Sequence, residues 1–203
     1  MMKFNFFSKA LSRLTIACIV VVVSITNCQL FDSFKGTVMP GETETTNFTL
    51  IDQNEQPFTL SDQLGKVVLM FFGYTFCPDV CPMTLTTWKH VQDQLKDEAK
   101  YVKFVYITVD PERDTPQRLK DHIEIFSKDF IGLTGSDEAL QEVFSAYGVY
   151  RDRHEISGSA TGYLMGHTSR IFVIDQAGNW RLLHNYDTSV EDIVHDIRLL
   201  LSD

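Results

Sequence analysis

The sequence is poor in cysteine, in proline and in basic charge, and each shortage excludes a class of protein. Only four of its 203 residues are cysteine, too few for a disulfide-framework fold. A chain of this length buries roughly 70% of its unfolded surface and needs neither disulfides nor a structural metal to fold. Six prolines and 11 glycines exclude collagen-like and low-complexity architectures. Only 18 Lys and Arg face 27 Asp and Glu, a formal net charge of -9. Nucleic-acid binding depends on clustered cations that neutralise phosphates, so this balance argues against a nucleic-acid partner. Long hydrophobic runs are missing too. The apolar stretch Leu14–Ile25 gives roughly 18 Å of helix, short of the ~30 Å hydrocarbon core of a bilayer.

That stretch has a context. Lys3, Lys9 and Arg13 precede it and Thr26-Asn27-Cys28 follows, the layout of a secretory signal over residues 1–27. Ile25-Thr26-Asn27-Cys28 resembles a bacterial lipobox, although Asn before the cysteine is atypical. Cys28 is therefore the expected lipidation site and first mature residue. The expected location is the outer face of the bacterial cytoplasmic membrane, or another envelope membrane, with an uncleaved helical anchor as the alternative. Once Cys18 has left with the signal and Cys28 carries lipid, Cys77 and Cys81 are the remaining thiols. A pair four positions apart closes too short a loop to stabilise a fold, so it reads as chemical rather than structural.

Residues 28–46 lack periodicity and are rich in polar and turn-forming types, the pattern of a linker, with a single domain expected over 47–203. Phe48 and Leu50, then a polar stretch, then Phe58 and Leu60 predict a hairpin. Val67–Phe72 is a continuous apolar run, as in a central strand covered on both faces. Leu85, Trp88, Val91 and Leu95 mark an amphipathic helix. Val102–Val109 reads as a strand, and Thr115-Pro116 caps a helix carrying Leu119, Ile123 and Phe126. A short apolar run ends at Leu133, and Ser136–Tyr147 forms a helix closed by Gly148. Arg151–Met165 reads as a long polar loop, Arg170–Ile174 and Trp180–Leu183 as a hairpin, and Ser189–Leu201 as a last helix. The expected class is α/β, a thioredoxin-like fold with an added N-terminal β-hairpin.

Cys77 and Cys81 stand where the central strand hands over to the first helix, so the helix dipole should lower both thiol pKa values. Pro82 fits the first helical position and leaves Cys81 in the loop before it. Soft thiolates select copper(I) or zinc, and two of them need a third or fourth donor. Of the six histidines, His90, His122 and His195 lie on amphipathic helices, His184 follows the last strand and His154 sits in the polar loop. Solvation or local bonding explains the first four, and His154 has no local partner in sequence. His167 stands at a loop-strand junction, where ligand residues are held on a rigid scaffold, yet a lone histidine is more often not a ligand. The third donor is therefore open on spacing alone. Asp79 reads as a turn former, residues 110–114 as a salt-bridged turn, and Met83 and Met165 as packing residues.

The run Phe-Phe-Gly-Tyr-Thr-Phe-Cys-Pro-Asp-Val-Cys-Pro (71–82), Val-Asp-Pro-Glu-Arg-Asp-Thr (109–115) and Gly166-His167-Thr168 resemble the Sco/SenC copper chaperones. The likeness spans about residues 47–200. It implies a thioredoxin-like domain outside the bacterial cytoplasm that binds copper through Cys77, Cys81 and His167, with the two cysteines as a redox-active pair. It also implies delivery of copper to the binuclear site of cytochrome c oxidase, or reduction of that site's cysteines. The implied partners are the oxidase subunit that receives copper and a copper donor or thiol-disulfide reductant. One departure is Gly166, where many members have Asp. Among rivals, an exported thiol-disulfide oxidoreductase of the thioredoxin type lacks its proline, since none follows Pro116. A peroxiredoxin is disfavoured by Met70 and Tyr74 at its pattern positions. A copper or redox sensor without turnover stays open.

Overall fold

An unbroken apolar run is stable as a strand only where neither face meets water. All seven residues of Val67–Gly73 are buried in the computed structural model, which describes residues 33–156 and 162–202. The expected signal segment and Cys28 lie outside the described residues. In chain order the strands β1 to β3 are Thr37–Glu44, Thr49–Asp52 and Pro57–Thr59, and β4 is Val67–Gly73. Helix α1 (Val80–Leu95), β5 (Val102–Thr108), α2 (Pro116–Ile123), β6 (Ile131–Thr134) and α3 (Asp137–Tyr147) follow. The chain then forms β7 (Arg151–Glu155), β8 (Tyr163–His167), β9 (Arg170–Ile174), β10 (Asn179–Asn185) and α4 (Val190–Ser202).

Eight strands make one sheet in the order β1-β10-β9-β4-β5-β6-β2-β3. Strands β4, β5 and β6 are parallel, and β9 pairs antiparallel on the other side of β4. This is the expected thioredoxin-like arrangement, with the β2–β3 hairpin added beyond β6. Alternation along the strands sorts the aromatic residues between the faces. Trp88 of α1 packs on Phe71 and Phe104, and His122 of α2 stacks near Tyr106. On the opposite face Phe144 and Tyr147 of α3 meet Phe72, which also contacts Phe172. The caps form where the sequence places them. Thr115 accepts from the Arg118 N–H, Ser136 from the Ala139 N–H, and Gly148 takes the left-handed conformation at φ 62°.

Several expectations need correction. The second half of the linker, Thr37–Glu44, is the edge strand β1, paired antiparallel to β10. Its polar sequence hides it because an edge strand needs no continuous apolar face. The polar loop 151–165 contains β7 and most of β8, which form a separate two-stranded sheet with Arg151 opposite His167. Finally, α1 starts at Val80, so Cys81 lies inside its first turn. Among the described residues no helix is long and apolar enough to cross a membrane.

His184, expected to be solvated or locally bonded beyond the last strand, is buried within β10. It pairs with Asp196 of α4 at 3.3 Å, and His195 Nδ1 lies 3.0 Å from the same carboxylate. Asp196 also accepts from the backbone N–H groups of Lys35 (2.8 Å) and Gly36 (2.8 Å), fastening the chain just before β1 to the last helix. Gly36 is required there, since a Cβ would fall 2.8 Å from the His184 ring. Burial alone would raise the Asp196 pKa, but the bonds from His184, Lys35, His195 and Gly36 hold it at about 2, against 3.8 when free. The carboxylate is thus bound as an anion, and its stabilisation is complete above about pH 4 and lost as pH falls toward 2. Urea unfolding at pH 5, 3 and 2 should show the protein losing about 2 kcal/mol through this window. Asp196→Ala, less stable at pH 5, should lack that loss, and parallel profiles for the two proteins would contradict the assignment.

Candidate metal centre

Strand β4 ends at Gly73, where a Cβ would lie 2.5 Å from the Tyr106 hydroxyl, so only glycine lets the strand close over that side chain. The loop that follows is pinned immediately. Thr75 donates through its N–H (3.1 Å) and its hydroxyl (2.6 Å) to Asp114, and Thr108 at the end of β5 donates to the same carboxylate at 2.7 Å. Phe76 lies between two guanidinium groups, Arg113 at 4.5 Å and Arg118 at 4.1 Å from its ring centre. Cys77 comes next and is half-buried, and the Cys81 N–H at the start of α1 donates to its sulfur at 3.4 Å. Cys81 is 0% exposed.

The third segment arrives from the β7–β8 hairpin. Tyr163 at the start of β8 donates its hydroxyl to Asp110 at 2.8 Å, and its carbonyl accepts from Arg113 at 3.0 Å. Arg113 and Arg153 stack on the Tyr163 ring at 3.5 and 3.6 Å, while Arg113 pairs with Asp110 and Arg153 with Glu112. At the other end of β8, His167 sits with its ring edge-on to Phe71 and Tyr74. Its Nδ1 is 3.1 Å from the Thr168 carbonyl. A carbonyl can only accept, so Nδ1 carries a proton and is turned away from the cysteines, which leaves Nε2 as the ring atom on their side. Nε2 faces the Cys81 sulfur at 3.7 Å. The donor atoms of Cys77, Cys81 and His167 all lie within 4.8 Å of one another.

The two thiols differ, contrary to the expectation that the helix dipole lowers both. The Cys77 pKa falls from 9.0 to about 4, because a hydrogen bond from Cys81, helped by His167 and the Asp79 and Cys81 N–H groups, outweighs its desolvation. The Cys81 pKa rises well above 9.0, first through burial and then through the neighbouring Cys77 charge. Burial decides the matter, since both sulfurs feel the same helix end. The site therefore pairs a thiolate at Cys77 with a thiol at Cys81 that holds its proton, beside the His167 ring. Two soft sulfurs and one nitrogen suit copper(I), and zinc is less well served with three donors.

Other residues singled out from sequence fall outside this cluster. The side chain of Asp79 does not cap α1, Met83 is exposed on α1, and Met165 packs partly buried in β8. His154, expected to have no local partner, lies 3.4 Å from the Asp152 carboxylate on the surface of β7. A Cβ at Gly166 would lie 3.2 Å from His154 Nε2, so this imidazole occupies the space a side chain there would enter. Asp114 was read from sequence as part of a salt-bridged turn, while Thr75 and Tyr163, which bind the two carboxylates of that turn, were not singled out.

Residues 37–202 match the family model described as SCO1/SenC. An SCO2-like protein of Rickettsia conorii is 34% identical over 153 residues, covering 75% of this chain and 74% of its own. Copper-bound ScoI of Bradyrhizobium japonicum superposes with a TM-score of 0.72 at 34% identity, covering 78% of this chain and 100% of that one. BsSco, described with a disulfide switch as a member of the Sco family of cytochrome c oxidase assembly proteins, superposes at 0.64 with 25% identity, covering 82% and 98%.

The thiol asymmetry has a direct readout. At pH 6 limiting iodoacetamide should place one label on Cys77 in the reduced protein, with a rate nearly flat between pH 6 and 8, while Cys81 stays unlabelled. Peptide mapping by mass spectrometry measures it. Equal labelling of both cysteines would contradict the asymmetry.

Proposed function

This chain belongs to the SCO1/SenC family, and from that premise we propose that it carries copper to, or reduces the cysteines of, the binuclear copper site of cytochrome c oxidase during assembly. The observation that carries this reading is the convergence of Cys77 and Cys81 with His167, which lies 86 residues beyond Cys81. The copper-bound relative and the oxidase-assembly relative support the same reading. Export and lipidation at Cys28 complete it, placing the domain at the membrane face where an oxidase subunit exposes its copper site.

The residues divide the work of handling copper as cargo. Half-buried Cys77, already a thiolate, is the point of first contact for copper arriving from a donor. The Cys81 sulfur loses its proton to solvent on loading, and His167 offers Nε2. The same thiolate serves reduction: Cys77 attacks a partner disulfide, Cys81 resolves the mixed disulfide, and this protein keeps a Cys77–Cys81 disulfide while its partner gains two thiols. An electron donor of the dithiol class must then restore it.

Anaerobic titration of the reduced protein with copper(I), followed by addition of a copper-free receiving oxidase subunit, tests the proposal. One copper per chain is expected, with tight binding abolished in Cys77→Ser and Cys81→Ser and weakened in His167→Ala. Copper appearing on the partner with both thiols still reduced identifies a carrier, and a new Cys77–Cys81 disulfide identifies a reductant. Full copper retention by both serine variants would overturn the proposal.

A further inference from the structure

The strand that carries His167 is not part of the main sheet. Among the described residues β7 and β8 pair with each other and with none of the eight strands. A cavity of about 400 Å³ lies between this hairpin and the turn after β5, with Val109, Glu112, Asp137 and Met165 among its walls. On that side the hairpin has side chains, rather than a backbone ladder, to fasten it. At the start of β8 the fastening is Tyr163 with Asp110 and Arg113. The His167 end needs its own. The Nδ1 bond to Thr168 reaches only the next residue in the chain, so it orients the ring within the hairpin and cannot fix the strand against the sheet.

Arg151 meets that need. It opens β7 and stands directly opposite His167. Residues opposite each other in an antiparallel pair project from the same face, with Cβ atoms about 5 Å apart. The His167 ring meets Phe71 and Tyr74 at the end of β4. Beside it, the Arg151 guanidinium donates to the Val109 carbonyl, just past the end of β5, at 3.3 Å. It also pairs with Asp137 at the start of α3 and lies over the Phe144 ring, 5.0 Å from its centre. The arginine side chain is 20% exposed and that of Asp137 is 63% exposed. An exposed ion pair contributes little, so the carbonyl bond and the ring contact supply most of the hold. A planar guanidinium serves both acceptors and the ring at once, whereas a lysine would keep the charge and lose the fork.

We infer that Arg151 is a positioning residue that sets where His167 Nε2 stands relative to the two sulfurs, and thereby how much the imidazole adds to copper binding. It acts through the paired strands and not by contact with the ion. The inference rests on the reading of Cys77, Cys81 and His167 as a copper site.

A double-mutant cycle tests it, with Arg151→Lys and Asp137→Asn each made in the full-length protein with and without His167→Ala. Arg151→Lys should lower the copper(I) affinity, measured by competition with a chromophoric chelator, roughly fivefold when His167 is present and less than about twofold when it is absent. Asp137→Asn removes only the exposed partner and should show the same pattern more weakly, and it carries the test if Arg151→Lys does not fold. In the empty Arg151→Lys protein the nuclear Overhauser contacts of the His167 ring with Phe71 and Tyr74 should weaken, while limiting iodoacetamide still labels Cys77 alone. In the copper(II) form the nitrogen hyperfine splitting should shrink toward that of His167→Ala. An equal loss of affinity with and without His167, or altered labelling of the cysteines, would make Arg151 a general structural residue and overturn the inference, as would unchanged affinity in both variants. Absence of copper binding by the unaltered protein would instead sink the proposed function.

Discussion

Two buried carboxylates in one short turn hold the metal centre together. Asp110 is 3% exposed and Asp114 0%, and a buried carboxylate persists only where donors replace the water it has lost. Asp114 draws its donors from the dithiol loop through Thr75 and from the end of β5 through Thr108. Asp110 draws its donors from Arg113 and from the Tyr163 hydroxyl, at the base of the strand that carries His167. One turn thus ties the sulfur-bearing segment to the nitrogen-bearing segment, although Cys81 and His167 are 86 residues apart in sequence. Loss of either carboxylate would free the sulfurs from the imidazole without touching any of the three side chains.

The same framework makes the two sulfurs unequal. Cys77 sits where the loop meets solvent and is stabilised as a thiolate by Cys81, His167 and two backbone N–H groups. Cys81 is turned inward by the first turn of α1, where burial outweighs the hydrogen bonds that Tyr74 and Tyr106 offer its charge. A metal ion entering from outside meets the charged sulfur first and reaches the buried one only by displacing a proton. This order of events suits a protein that must accept its cargo readily and release it through the same open side. It also suits thiol exchange, since the reactive sulfur is the accessible one.

Much of this was legible in the sequence, for identifiable reasons. The unbroken run 67–72 could only be a buried strand, the 3-4 spacing from Leu85 to Leu95 only a helix, and Thr115 and Ser136 behave as caps because capping is local. Strands β1 and β7 were hidden because edge and surface strands carry mostly polar residues, and β8 was hidden with its partner β7. The turn at 110–114 was visible as a salt-bridged turn, and Arg113 does pair with Asp110. Its larger role was not visible, because its decisive partners, Thr75 and Tyr163, lie 39 and 53 residues away from the carboxylates they bind. The thiol pKa values failed for a related reason: the helix dipole is written in local sequence, while burial is a property of the whole fold.

The central claim is that one copper ion is held by the two sulfurs of the dithiol loop and the imidazole of the hairpin together. X-ray absorption at the copper edge of the reduced, copper(I)-loaded protein, compared with His167→Ala, tests it most directly. The account predicts two sulfur neighbours and one nitrogen neighbour in the unaltered protein, with the outer-shell scattering of an imidazole ring that vanishes in the variant. A sulfur-only environment, or an imidazole signature that survives the loss of His167, would contradict it.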